Sequence, residues 1–180
     1  KSCIFGPVEA KNTPLQIVLL GYMGSGKSRI GSELAEHLGL PFTDLDAHIE
    51  SEVGMPIREI FAKKGEVFFR RQEHALLKEL LASRESRVLS LGGGTPAYAG
   101  NMDLVEAATP HTFYPQNSIA ALVARLERER ADRPLIAHIP PEELYDFIGK
   151  HLFDRVPFYT RATHTVPCDG KSPSEIVAEI

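Results

Sequence analysis

The chain has 180 residues, and 20 Lys+Arg against 24 Asp+Glu leave a net charge of -4. That length suits one domain, able to bury roughly 70% of the surface its unfolded chain exposes, and the acidic balance speaks against a general nucleic-acid binder. Any phosphate site must therefore be local. Cys3 and Cys168 show no CxxC or Cys/His spacing, so neither a zinc site nor a disulfide framework is suggested. No apolar run nears the ~20 residues that span a bilayer, and residues 1–16 lack the apolar core of a signal peptide. The expectation is a soluble, cytoplasmic protein with no nucleic-acid or membrane partner.

Residues 1–16 begin at Lys1 without methionine and carry no clear period. They are set apart as a leader or tail, whether a cloning remnant, a processed end, a targeting remnant or a flexible extension. Residues 17–180 are read as a single domain. Ile17 to Leu20 forms a buried strand, and "SRIGSELAEHLG" spaces Ile30, Leu34 and Leu38 by four and ends in Gly39, as an amphipathic helix does. "PFTDLD" reads as a short strand ending in carboxylates. Two helical stretches follow, one opening with Pro56 in its first turn and one from about Glu66 to Ser83 with Leu76, Leu77, Leu80 and Leu81 inward. "RVLSLGGGTP" is a third strand running into three glycines, and "HTFYP" a fourth after a helix near Met102 to Ala108. "ARLERERADRP" reads as a helix entering an exposed segment, with "AHIPPEE" a flexible connection behind it. This alternation predicts an α/β fold with a parallel sheet, helices on both faces and ligands at the carboxyl ends of the strands.

Gly21-x-x-x-x-Gly26-Lys27-Ser28 fills every fixed position of GxxxxGK[ST] between strand and helix. Its amides, including those of Gly24, Ser25 and Gly26, suit phosphate, Lys27 suits the β and γ phosphates, and the Ser28 hydroxyl suits Mg²⁺. A bound nucleotide with Mg²⁺ as cofactor follows. The loop alone does not separate a GTPase, a motor ATPase and a small-molecule kinase. A guanine-specific Asn-Lys-x-Asp run is absent, and the third strand does not end in a Walker B aspartate.

Asp44 and Asp46, two apart at a strand end, are expected to share a face. One suits the hydration shell of Mg²⁺ and the other the acceptor hydroxyl and its proton; a pair of helix-capping aspartates remains the alternative. Arg70 and Glu73 stand at i, i+3 on a helix, flanked by Phe61 and Phe69. A carboxylate-held arginine is a clamp for a ring bearing a carboxylate, or a plain solvated salt bridge. Gly92, Gly93 and Gly94 bring bare amides close to a ligand, or simply turn the chain.

In order and spacing, "GYMGSGKS", "DLD", "FxxxGExxFRxxE", "LGGGTP", "RPLI" and "DRVPFY" resemble the shikimate kinases over roughly Ile17 to Tyr159. The resemblance implies a nucleoside-monophosphate-kinase-like P-loop fold with a five-stranded parallel sheet, a substrate-binding region at about 46–84 and a lid at about 125–141. It implies phosphoryl transfer from ATP to shikimate, a step of chorismate and aromatic amino acid biosynthesis, by a monomer. By the same resemblance Asp44 stands on the Mg²⁺ side, Asp46 binds the shikimate hydroxyls as candidate base, and Arg70 and Arg155 grip its carboxylate. Gly92, Gly93 and Gly94 supply amides, Phe61 and Phe69 line the ring pocket, Glu73 orients Arg70, and Arg133 is the lid arginine. Arg125 and Pro173 take the adenine. Arg29 after Ser28, and Tyr114-Pro115 in the fourth strand, depart from the family pattern. A gluconate-type kinase of the same fold and a nucleotide-binding module without turnover are the alternatives. The arginine pair and the Asp-x-Asp spacing weigh against the first; intact Lys27, Asp46 and Arg133 weigh against the second.

Overall fold

All four residues of β1 (Gln16–Leu19) are buried, which an isolated amphipathic strand would not show and a strand covered on both faces must. The computed structural model describes residues 14–130 and 133–180, and residues 1–13, most of the leader with Cys3, lie outside it. β1 starts one residue before Ile17 and stops before Leu20, and Leu15 already bonds across to Ser86 and Arg87. It leads through the glycine loop into α1 (Lys27–Leu38), which Gly39 closes in the left-handed conformation.

β2 (Phe42–Asp44) passes without a loop into α2 (Leu45–Val53), because Asp44 is itself the N-cap, its carboxylate accepting from the backbone N–H groups of Asp46 and Ala47. The expectation that both aspartates share one face of a strand end is corrected here, and the capping alternative holds for Asp44: it ends the strand and caps, whereas Asp46 stands in the first helical turn. α3 (Ile57–Ala82) is broken at Gly65, whose φ of 80° and ψ of 168° are not helical. The two predicted stretches are its two segments, and Pro56 sits one residue outside the first, as its N-cap. β3 (Arg87–Ser90) runs into the triple glycine and a 3₁₀ turn, Thr95–Ala97; α4 (Asn101–Ala108), β4 (Thr112–Gln116) and α5 (Ile119–Arg128) follow.

Beyond lie α6 (Pro134–Ala137), a 3₁₀ turn at Pro141–Glu143, α7 (Leu144–Phe153), α8 (Val156–Tyr159), β5 (His164–Pro167) and α9 (Pro173–Glu179). "AHIPPEE" is thus folded into a short helix end and a turn. The sheet is five-stranded and parallel in the order β2-β3-β1-β4-β5.

Period-two alternation divides the core between the two faces. Ile17, Leu19, Val88 and Phe113 pack with Ile30 and Leu34 of α1 and Ile176 of α9. Val18 and Leu89 face the other way, toward Leu45, Ile49, Leu77, Leu122 and Ile148 on the remaining helices. Each fully buried aliphatic contributes roughly 1.5–3 kcal/mol, so both layers hold the strands and fix their carboxyl ends. Those ends carry the glycine loop, Asp44 and the triple glycine.

Candidate active site

A cleft of about 530 Å³ opens at the carboxyl ends of the strands, lined by Gly24 to Ile30, Asp44, Asp46, Gly92, Gly93, Arg125, Glu129, Arg133, Lys171 and Pro173 among others. The loop that floors it needs glycine. Gly26 turns into α1 at φ 87°, and a Cβ on Gly24 would come within 2.9 Å of Leu126. Lys27 is 8% exposed, and its ammonium donates to the Tyr22 carbonyl at 2.8 Å. Burial lowers its pKa to about 8, Arg133 adds to the fall, and Asp46 and Asp44 oppose it. Asp46 and Asp44 thus favour its charged form against the cost of burial.

Ser28 Oγ donates to Asp44 Oδ2 at 2.7 Å, while Asp44 Oδ1 caps α2. The pair offers hard oxygen at the mouth of the phosphate loop. Among the described residues no group of three or more His, Cys, Asp or Glu gathers into a metal cage. One hydroxyl and one carboxylate fit Mg²⁺, which keeps several waters and takes further ligands from substrate phosphates.

Asp46 stands at the junction of the two halves of the site. Burial lifts its pKa to about 6, Asp44 and Glu73 push the same way, and Lys27 and Arg70 pull it down. A Cβ on Gly92 would lie 2.7 Å from Asp46 Oδ1, and one on Gly94 2.7 Å from Arg70 Nη2. Both glycines let side chains cross the strand end at contact distance. Arg70 bonds Glu73 at 2.8 Å and lies over Phe69, its guanidinium carbon 5.3 Å from the ring, and Phe61 packs on Phe69 at 4.8 Å between centroids. The salt bridge is not a solvated one: Glu73 is 1% exposed, and its other oxygen accepts from Thr95 Oγ1 at 2.6 Å.

The flanks also converge. Arg125 donates to the Gly24 carbonyl and to Asn117 Oδ1, with Pro173 across the same cleft. Arg133 reaches the lining while holding Glu129 at 2.6 Å, and Ala131 and Asp132 of the expected lid lie outside the described residues. Phe61, Phe69, Arg70, Gly94 and Arg155 stand beyond the cleft lining. Arg155 donates to the His151 carbonyl at 2.9 Å, and the Tyr159 hydroxyl, one helical turn on, donates to the Gly93 carbonyl at 2.6 Å. Tyr114 packs on Tyr159 and under Gly21, so the departure from an aliphatic strand end fills the floor of the loop.

Sequence reasoning passed over Glu129, Thr95, Lys171 and the Tyr22–His151 pair. Glu129 was readable, four residues before Arg133 on a helix end; Thr95 lay inside "LGGGTP", where only the fold reveals its partner.

A family model described as shikimate kinase matches residues 23–180. A shikimate kinase of Flavobacterium psychrophilum is 45% identical over 165 residues, covering 92% of this chain and 96% of that protein. Among solved structures, the shikimate kinase of Bacteroides thetaiotaomicron superposes with a TM-score of 0.84 at 33% identity, covering 92% of this chain and 95% of that one. The shikimate kinase of Acinetobacter baumannii in complex with shikimate gives 0.81 at 32%, covering 93% and 91%. A phosphate loop joined through one aspartate to a carboxylate-held arginine, on a sheet that these enzymes share, has one common account: this chain belongs to the shikimate kinase family.

Proposed function

We propose that the chain transfers the γ-phosphate of ATP to the 3-hydroxyl of shikimate, giving shikimate 3-phosphate and ADP, a step of chorismate and aromatic amino acid biosynthesis. The observation that carries this reading is the position of Asp46, within electrostatic reach of Lys27 on one side and Arg70 on the other. One carboxylate thereby faces both the donor and the acceptor.

In this assignment the amides of Gly24, Ser25 and Gly26 and the Lys27 ammonium hold the ATP phosphates, and Arg125 and Pro173 flank the adenine. Arg70 and Arg155 take the shikimate carboxylate, bidentate contact giving orientation as well as affinity. Phe61 and Phe69 border the ring, and Gly92, Gly93 and Gly94 admit the hydroxyls to backbone amides. The 3-hydroxyl oxygen forms its bond to the γ-phosphorus as the bond to the β-bridging oxygen breaks, and the hydroxyl proton passes to Asp46. Lys27 and Arg133 neutralise the charge that spreads over the transferring group. Ser28 and Asp44, the latter through water, would hold Mg²⁺, which would supply charge neutralisation to the nucleotide phosphates. The region 46–84 carries the acceptor and 125–141 closes over the nucleotide, excluding the water that would otherwise accept the phosphate. The chain is read as a monomer at work in the cytoplasm.

ADP release from Mg-ATP should be measured with no acceptor, shikimate, quinate and gluconate in parallel. Release that rises and saturates with shikimate alone supports the assignment. Release indifferent to all acceptors, with ATP demonstrably bound, overturns it.

A further inference from the structure

Arg155 enters the proposed site from a part of the chain far from the phosphate loop, yet two phenols fasten its surroundings to both glycine loops. The Tyr159 hydroxyl bonds the Gly93 carbonyl on the acceptor side. On the nucleotide side Tyr22, inside the phosphate loop, places its hydroxyl 2.7 Å from His151 Nδ1 on α7, one turn before Arg155. Tyr22 therefore works at both ends: its carbonyl holds the Lys27 ammonium at 2.8 Å and its side chain holds the helix that leads into Arg155.

The bond has one polarity. Burial keeps Tyr22 in its phenol form well above the usual tyrosine range, and burial, with Arg155 beside it, lowers His151 to about 4. The phenol donates and the neutral imidazole accepts at Nδ1, which leaves the ring proton on Nε2. The imidazole is also fixed in orientation, edge-on to Tyr22 and stacked on Phe147, both at 5.5 Å. Its backbone carbonyl accepts from Arg155 Nη1 at 2.9 Å. From loop to guanidinium the path is phenol, imidazole, carbonyl, arginine, every link a short contact.

We infer that Tyr22 and His151 are positioning residues that set Arg155 against the phosphate loop, so that the acceptor carboxylate is gripped in register with the γ-phosphate. This rests on the reading of Arg155 as a carboxylate-binding arginine. Neither residue touches the reacting atoms in this role.

The test compares the unmodified chain with Tyr22→Phe, His151→Leu, His151→Asn and the Tyr22→Phe/His151→Leu double variant, reading KM for shikimate, KM for ATP, kcat and Tm. Loss of this partly buried hydrogen bond should raise KM for shikimate about 5- to 10-fold in Tyr22→Phe and in His151→Leu, with KM for ATP within about twofold. The double variant should be no worse than the poorer single one, since both remove the same bond. His151→Asn, whose amide oxygen stands near the Nδ1 position, should recover most of the loss.

Single effects that multiply, equal movement of both KM values, or a lowered Tm with an unchanged KM for shikimate would each overturn the inference. Should His151→Leu fail to fold, Tyr22→Phe decides alone, because it keeps the ring. An unmodified chain without shikimate turnover overturns this inference together with the proposed function; a turning-over chain with unaffected variants overturns the inference only.

Discussion

Glu73 holds Arg70 in a 2.8 Å ion pair across one turn of α3, and the acid is the more buried partner, 1% exposed against 17% for the arginine. The arginine is thus presented outward by an anchor that has its own second support in Thr95. Arg70→Ala should raise KM for shikimate by about 30- to 1000-fold, the loss of a charge-assisted bidentate contact, and leave ATP binding nearly unchanged. It should also destabilise the fold by about 3 kcal/mol, because a buried carboxylate loses its cation. Steady-state kinetics and denaturant melts measure both; an unaltered KM removes Arg70 from the site.

The pH profile follows from the two shifted groups that line the cleft. Asp46 must be ionised to accept a proton, and its pKa is lifted to about 6, first by burial and then by Asp44 and Glu73. Lys27 must be protonated to hold phosphate, and burial brings it down to about 8. We expect kcat/KM to be bell-shaped, falling below about pH 6 as Asp46 protonates and above about pH 8 as Lys27 loses its proton. Lys27→Arg should move the alkaline limb outward, and a flat profile between pH 5 and 9 would contradict both roles.

The same shift has a sign for stability. The Asp46 pKa is raised from 3.8 to about 6, so the folded chain binds the extra proton, and this contribution is complete below about pH 4 and lost as pH rises through 6. Asp46→Asn should therefore lower kcat by about 10²- to 10⁴-fold and, at pH 8, stabilise the fold by about 1–3 kcal/mol. Thermal melts at pH 8, pH 5 and pH 3 check the second half, which should be roughly halved at pH 5 and vanish below about pH 4.

Two glycine-to-alanine changes should separate packing from function. A Cβ on Gly31 of α1 would lie 2.5 Å from Phe42 and 3.0 Å from Leu19, between helix and sheet. Gly31→Ala should destabilise by about 1–3 kcal/mol, lowering Tm with KM values little changed. The nearest atoms to a Cβ on Gly94 would be those of the Arg70 guanidinium, at 2.7 Å. Gly94→Ala should raise KM for shikimate, with a fall in Tm only as far as the Arg70–Glu73 pair is displaced.

How much of this was legible beforehand differs along the chain. The phosphate loop and the helix after it were read directly, since strand, glycines and four-residue apolar spacing agree. β5 was not placed by its residues: "HTVP" is a sheet-edge strand in which Val166 alone is buried, so no alternation marks it. α7 did carry a signal in Leu144, Ile148 and Leu152, all inward at four-residue spacing, though the prolines before it drew attention to a connection. Asp44 and Asp46 were found as a pair but assigned a strand geometry, because nothing in "TDLDAH" says where strand yields to helix. The Tyr22–His151 bond joins positions 129 residues apart, and local pattern is silent about such partners.

Gly65 interrupts α3 at φ 80° and ψ 168°, yet a Cβ there would meet nothing within 4 Å. Volume does not select this residue; handedness does. That region of backbone space is closed to L-amino acids and open to their mirror images. An L-alanine at position 65 must strain the bend or straighten it, while a D-alanine introduced by chemical ligation would keep the bend and remove part of glycine's freedom in the unfolded chain, for a gain of about 0.4–1 kcal/mol. Between Phe61 and Arg70 the proposed acceptor pocket thus turns on one achiral atom.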